Sequence, residues 1–303
     1  MKILNIGSLN VDNTYRVDEF LKPGETKSSL RLDVFCGGKG LNQSIAAAKA
    51  GCTVQHAGFF GAGSEMLKDA LQKSGVDVSL MKHITGKCGH TIIEVDGHGQ
   101  NCILLYGGSN KSLTKDYIDS VLFTCSKEDI LLLQNETNLV DYCMKAAHEK
   151  GMRIAFNAAP MDASVTSYPI TFVDWLFVNE VEGAMLSGKD AYPEILAELA
   201  RKYPHTAIIL TLGKHGLLYK DSEQAIKMGT YLDAPVVDTT AAGDTFIGYF
   251  LAGVASKWPV TESLQFATAA SSVCVGRAGA SPSIPYAKEV SEALAGKKLG
   301  ELR

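Results

Sequence analysis

Val237-Asp238-Thr239-Thr240-Ala241-Ala242-Gly243-Asp244-Thr245-Phe246 is the segment from which the fold can be read. It follows a strand-like run and leads into an apolar stretch that predicts a long helix over Thr245–Ala255. Ala241-Ala242-Gly243 lets a backbone come close to a ligand, and its N–H groups would point out of a helix N-terminus. That arrangement suits a polyphosphate. Asp244, at the same terminus, could accept a proton from a hydroxyl attacking a phosphoryl group. An isolated Gly-Asp would more simply be a helix cap. The whole segment favours the chemical reading.

Working outward, short apolar runs alternate with helical stretches. Ile3–Gly7 reads as a buried strand, and the Ala-rich Gly40–Gly51 reads as a helix packed closely on a sheet. Strands are predicted at Asp129–Gln134, Arg153–Asn157, Trp175–Val178 and Ala207–Thr211. Helices are predicted after the first of these runs up to about Lys150, from near Glu180, and over Tyr192–Tyr203. Strands alternating with helices imply βαβ units, a parallel sheet and helices on both faces. Two stretches break the pattern. Thr91–Tyr106 holds two strand-like runs around Asp96-Gly97-His98-Gly99, a hairpin signal. Asp12–Phe35 is also extended, with a Pro23-Gly24 turn. Segments of approximately 12–36 and 88–108 are therefore placed outside the main sheet as a small β-lid, which would exclude water during group transfer. Two plain surface hairpins would carry the same pattern.

The 303 residues suggest about two units by length alone, but the continuous alternation predicts one α/β domain over 1–303 with the lid as its outgrowth. Hydrophobic residues make up 46% and mean hydropathy is +0.04, which excludes bulk disorder. Lys+Arg 29 against Asp+Glu 33 leaves a net charge of −4. A nucleic-acid or anionic-membrane binder would be basic, so neither partner is expected. The seven cysteines are widely spaced with no Cys-x-x-Cys, so reduced thiols in the cytoplasm are expected, without disulfides or zinc. The first residues are apolar too briefly for a signal peptide, and no run reaches the roughly 20 residues of a membrane span.

The opening segment resembles the C-terminal signature of the ribokinase (pfkB) family of sugar kinases. About 200 positions earlier, Gly37-Gly38-Lys39-Gly40-Leu41-Asn42-Gln43, followed by Ala46-Ala47-Ala48 and Gly51, resembles the family's N-terminal signature. The likeness runs from Gly7 to about Pro285. Gly-Gly-Lys-Gly is not a P-loop, which needs Gly-x-x-x-x-Gly-Lys-Ser/Thr. The resemblance implies a three-layer α/β/α sheet with a β-lid, and an ATP-dependent kinase in which Asp244 is the base and Ala241, Ala242 and Gly243 form the anion hole. It implies sugar contacts from Asn10, Asp12, Gly38, Lys39, Asn42, Glu136 and Asp244. Read singly, Asp12 would be a turn aspartate and Lys39 a solvated lysine.

For nucleotide, the resemblance implies Asn157, Asn179, Glu182, Thr211, Gly213, Gly216, Gly243 and Thr268. Glu182 would place Mg²⁺ through water. Asn179 and Glu182 are also spaced as a helix capping box. Asp238, Thr240, Cys274, Arg277, Gly279 and Ser283 match a K⁺ site made mostly of carbonyl oxygens, so Cys274 would not be a thiolate ligand. Asp238 also reads as an ordinary strand-end residue. Asp12, Glu136 and Asp244 would converge with Lys39 as the one cation, which favours an unphosphorylated polyol over a phosphosugar.

The expected reaction is phosphorylation of a primary hydroxyl, D-ribose to ribose 5-phosphate, in a homodimer joined through the lid. A kinase of another sugar (fructose-like, deoxyribose) or of a nucleoside is the rival within the class, and a non-catalytic sugar- or nucleotide-binding regulator the rival outside it. Three departures bear on sugar choice: Gly61-Ala62-Gly63-Ser64 replaces an acidic pair, Leu41 replaces an alanine, and Arg16–Arg31 has its own character. A dehydrogenase would need Gly-x-Gly-x-x-Gly where Gly7-Ser8-Leu9-Asn10 stands.

Overall fold

A computed structural model describes residues 1–98, 100–231 and 235–295. The chain opens with β1 (Ile3–Ile6), β2 (Asn10–Arg16) and β3 (Arg31–Gly37), then α1 (Lys39–Lys49), β4 (Val54–Ala57), β5 (Phe59–Phe60), α2 (Glu65–Lys73) and β6 (Lys82–His83). β7 (Gly89–Val95), β8 (Asn101–Tyr106), α3 (Lys115–Phe123), β9 (Ile130–Gln134), α4 (Val140–Glu149), β10 (Arg153–Asn157) and β11 (Trp175–Asn179) follow. The last elements are α5 (Glu180–Ser187), α6 (Tyr192–Lys202), β12 (Ala207–Thr211), β13 (Leu217–Lys220), β14 (Ala225–Met228), α7 (Ala242–Ala255), α8 (Val260–Cys274) and α9 (Ala287–Leu294).

The main sheet runs β14-β13-β12-β11-β10-β9-β1-β4, parallel from β12 to β4 with an antiparallel hairpin at one edge. Its central strands are apolar on both faces because both faces are covered. Alternate residues feed opposite layers: Ile3, Ile130, Leu132, Ala155, Phe177 and Ile209 meet α1, α7 and α8. Leu4, Ile6, Leu131, Leu133, Phe156 and Leu210 meet the layer of α3, α4 and α6. This is the expected three-layer α/β/α fold. Polar residues appear inside these strands on the α1–α7 side: Asn5 and Gln134 are both buried.

The two irregular stretches form a separate sheet, β3-β2-β7-β8. Each is an antiparallel hairpin, and β2 joins β7 in parallel. The tip residue Gly99 of the Asp-Gly-His-Gly turn lies outside the described residues, as do the chain's last residues, 296–303. Among the described residues no helix is long and apolar enough to cross a membrane.

Two boundaries differ from expectation. The long helix α7 begins at Ala242, not Thr245, so Asp244 belongs to its first turn. Among the described residues between β14 and α7 there is no strand. Pro235 has no N–H to donate to a ladder, and the N–H groups of Val237 and Asp238 go instead to the Val275 carbonyl at 2.8 and 3.2 Å.

Candidate active site

Ala241 holds a left-handed conformation (φ 61°, ψ 7°) at the start of α7. That is strained for a residue with a Cβ and turns the chain sharply into the helix. The N–H groups of Gly243 and Asp244 have no acceptor among the described residues, as the first turn of a helix leaves them. A Cβ built on Gly243 would meet nothing within 4 Å. The glycine therefore faces open space, and two free N–H donors flank it.

That space is a cavity of about 200 Å³ lined by Lys39, Asn157, Asn179, Glu182, Thr211, Ala241, Gly243 and Asp244, with Phe177 and Ile247 among its apolar walls. Eight residues expected from sequence meet there. A larger groove of about 410 Å³ lies between α3 and α4. It has no glycine turn, and none of the residues expected from sequence line it. The smaller cavity is the candidate site.

On the other side of Asp244 lie the expected sugar residues. Asn42 Nδ2 donates to Asp244 Oδ2 at 3.1 Å. Glu136, just past β9, accepts from the Lys39 N–H at 3.0 Å and from the Ser8 hydroxyl. Asp12 on β2 accepts from Thr91 Oγ1 on β7 at 2.7 Å, so both lid hairpins shape it. Burial above all pushes the Asp12 carboxyl up to about 6. The Thr91 bond opposes this, while the charges of Glu136 and Asp244 add to it. Burial works against the Lys39 ammonium, but the fields of Asp244, Glu136 and Glu182 outweigh it and hold its pKa above the usual value. Three acids thus surround one lysine. Gly38 (φ 94°) lets α1 start against the Ser8 carbonyl and the Asn10 N–H.

Glu182 and Asn179 do form a capping box. The Asn179 N–H donates to Glu182 Oε2 at 2.9 Å, and the Glu182 N–H to Asn179 Oδ1 at 2.9 Å. Burial raises the Glu182 carboxyl despite that bond. Both residues still line the cavity, so the capping box does not take them away from it.

The six residues matched to a K⁺ site come from the loop before α7, the last residue of α8 and the segment after it, and Asp238 stitches the two sides together. Its carboxylate accepts from the Thr240 N–H at 2.9 Å and the Gly279 N–H at 3.0 Å. Burial raises this carboxyl, but the bonds from Thr240 and Gly279 more than offset that and hold it below the usual range. The Cys274 thiol is pushed up by burial and lies 3.0 Å from Ser283 Oγ. The Arg277 guanidinium faces outward to Glu289 at 2.6 Å.

Three expected nucleotide residues are not brought to the cavity lining. Thr268 is buried on α8 and its hydroxyl donates to the Leu264 carbonyl at 2.8 Å. A Cβ on Gly216 would meet the Met228 carbonyl at 2.0 Å, so its close approach is to the β14 end. Gly213, in the same turn, is exposed. Ala242, although it starts α7, is likewise absent from the lining.

Sequence reasoning missed a second tier of residues. Asn110 donates to Asn10 Oδ1 at 2.7 Å and pairs with both backbone groups of Leu9, so it fixes Asn10 from the point where the lid chain returns. Gln43 Nε2 donates to Asp244 Oδ1 at 2.8 Å. The available signal was polarity where strands are otherwise apolar, as at Asn5, His56 and Gln134.

The sequence profile for pfkB family carbohydrate kinases matches residues 1–287. The ribokinase of Schizosaccharomyces pombe is 34% identical over 96% of this chain and 96% of its own. The structure superposes on the ribokinase of Cryptococcus neoformans in complex with ADP with a TM-score of 0.86 at 31% identity, covering 97% of this chain and 99% of that one. It superposes on Arabidopsis thaliana ribokinase complexed with ribose and ATP with a TM-score of 0.86 at 27% identity, covering 97% and 98%.

Proposed function

This chain belongs to the pfkB family of carbohydrate kinases, phosphotransferases acting on a sugar hydroxyl, and we propose that it uses ATP to phosphorylate D-ribose at its 5-hydroxyl. The observation that carries the reading is the position of Asp244. It lines the phosphate-sized cavity and is bonded directly to Asn42 on the sugar side. In this reading Asp244 takes the proton of the primary hydroxyl. The freed oxygen pair attacks the γ-phosphorus, and the bond to the ADP oxygen breaks. The N–H groups of Gly243 and Asp244 and the Lys39 ammonium hold the charge that develops. Asp12, Asn10, Asn42 and Glu136 orient the sugar, and most of the acceleration is positional.

Glu182, buried and raised in pKa at the cavity wall, fits a hydrated Mg²⁺, which when bound supplies charge neutralisation at the phosphates. The oxygens of Asp238, Thr240, Cys274, Arg277, Gly279 and Ser283 are hard donors, the type that would hold a K⁺. Such an ion would stiffen the turn that carries Ala241. Asn157, Asn179, Thr211, Gly213, Gly216 and Thr268 remain the nucleotide-side residues of the proposal. The lid register places Leu32, Val34, Ile92, Leu104 and Tyr106 on the face opposite Asp12 and Thr91, all exposed. That apolar face supports a lid-mediated homodimer. Seven unpaired cysteines support a cytoplasmic location.

Steady-state turnover across pentoses, hexoses and nucleosides, with and without K⁺, tests the reading, with sedimentation velocity on the same sample for the dimer. Ribose is expected to give the highest kcat/KM, and K⁺ to raise kcat. A nucleoside or hexose surpassing ribose would refute the substrate, and a monomer at micromolar concentration would refute the dimer.

The raised Asp12 carboxyl gives a pH signature. Sugar hydroxyls need the ionised form as acceptor, and the free enzyme is protonated there below about 6. As pH falls below that point, binding must first expel the proton. KM for the sugar should rise by up to ~10-fold per pH unit, and should be flat above it. A sugar KM that stays constant down to pH 5 would show that Asp12 does not bind the sugar.

A further inference from the structure

We propose that Gln43 and Gln134 are positioning residues for Asp244, the last links of a buried amide chain whose direction is set by one backbone carbonyl. The proposal rests on the reading of Asp244 as the base. The chain starts at the Gly40 carbonyl, which can only accept. Asn5 Nδ2 donates to it at 2.8 Å and to Ser44 Oγ at 2.9 Å. Asn5 must therefore turn Oδ1 the other way, where it accepts from Gln134 Nε2 at 3.1 Å. The same Nε2 donates to Gln43 Oε1 at 2.7 Å. With its oxygen so engaged, Gln43 has only Nε2 left for Asp244, and it donates to Oδ1 at 2.8 Å.

Asn5, Gln43 and Ser44 are completely buried, and Gln134 is 1% exposed. Bulk solvent does not reach these groups. At the far end Ser44 Oγ lies 2.8 Å from His56 Nδ1. Burial pushes His56 down to about 3, so the ring stays neutral and brings no charge into the chain. Gln134 Oε1 is left without a partner. A flipped Gln134 would set its oxygen against Asn5 Oδ1 and Gln43 Oε1, two acceptors, so the flip is disfavoured.

The outcome is a donor, never an acceptor, against a carboxylate that sits among Asp12, Glu136 and Glu182. Together with Asn42 it engages each oxygen of Asp244 once, fixing the rotamer and leaving the remaining lone pairs for the hydroxyl proton. Gln43 touches neither cavity nor sugar side directly, so its effect must pass through Asp244.

The test measures kcat, KM for both substrates and Tm for Gln43→Met, Gln134→Met, the double variant and Asp244→Asn. Methionine keeps the length of the side chain and removes its amide. Gln43→Met should lower kcat ~10–100-fold, with both KM values within about threefold of the parent. Gln134→Met should lower kcat less. The double variant should be no slower than Gln43→Met alone, because Gln134 acts only through Gln43. A residue that merely supports the fold would lower Tm and give additive losses. If Gln43→Met does not fold, Gln134→Met decides by the same split between kcat and KM. Unchanged kcat in the methionine variants, or additive losses, with Asp244→Asn inactive, overturns the chain and leaves the base standing. Turnover retained by Asp244→Asn overturns the base, and the chain with it.

Discussion

Asp244→Asn is expected to lower kcat by about 10³-fold, the usual range for loss of a general base, while nucleotide binding measured by calorimetry persists. The substitution keeps volume and helix position, so the N–H groups of Gly243 and residue 244 still face the cavity. What it removes is basicity. It also changes the hydrogen-bond arithmetic in a way specific to this site. Asp244 meets two donors, Asn42 Nδ2 on one oxygen and Gln43 Nε2 on the other. A carboxamide has one acceptor oxygen, so its NH₂ group must confront one of these donors. The buried clash should cost about 1–3 kcal/mol of stability, read as a lower Tm. Asp244→Ala separates the two effects: it removes the base without opposing two donors. Both variants should be nearly inactive, and the alanine variant should melt closer to the parent if its cavity cost stays below the clash. Substantial turnover by either would mean that another group takes the proton.

The chemistry-bearing residues were legible because their meaning is local. Gly-Gly-Lys-Gly and Ala-Ala-Gly-Asp each carry a turn and a helix start within a few residues, and the structure brings Lys39 and Asp244 to one cavity. The alternation of runs likewise gave the layers, since a strand covered on both faces has little choice but to be apolar throughout. What could not be read is what depends on distant pairing. Gln43 stands next to Asn42 in the quoted signature, yet its partners Asp244 and Gln134 are 201 and 91 residues away. Asn110 has the same character: it matters only because the lid chain returns beside Leu9. The helix α7 boundary was missed for a different reason. Its start depends on Ala241 taking a left-handed turn, a conformation that alanine seldom adopts and composition does not announce. Gly216 also has a distant structural demand on it: a Cβ there would meet the Met228 carbonyl at 2.0 Å.

Gly40→Ala should produce the largest combined loss of stability and activity, for purely steric reasons. Gly40 has no left-handed backbone, so alanine is conformationally acceptable there and would ordinarily favour the helix. Its Cβ, however, would fall 2.3 Å from the Ser8 nitrogen and 2.5 Å from the Gly7 carbonyl carbon. Both are backbone atoms next to β1, the strand between β9 and β4, and neither can swing aside. The first turn of α1 must retreat instead. That breaks the bonds of the Leu41 N–H to the Ser8 carbonyl and of Asn5 to the Gly40 carbonyl. A cost of about 3 kcal/mol is expected from overpacking against rigid backbone, visible as a Tm drop of roughly 5 °C. The same recoil moves Lys39, Asn42 and Gln43 together, since all three lie on that helix. A misplacement of about 1 Å in such groups lowers turnover ~10²-fold. Gly24→Ala provides the contrast: its φ of 85° makes alanine unfavourable, but nothing lies within 4 Å of the new Cβ and the turn is not part of the cavity lining. It should lose a little stability and no activity. If Gly40→Ala melts like the parent, the close approach of α1 to β1 is wrong. If it melts early but turns over normally, the helix start does not set the geometry of the site.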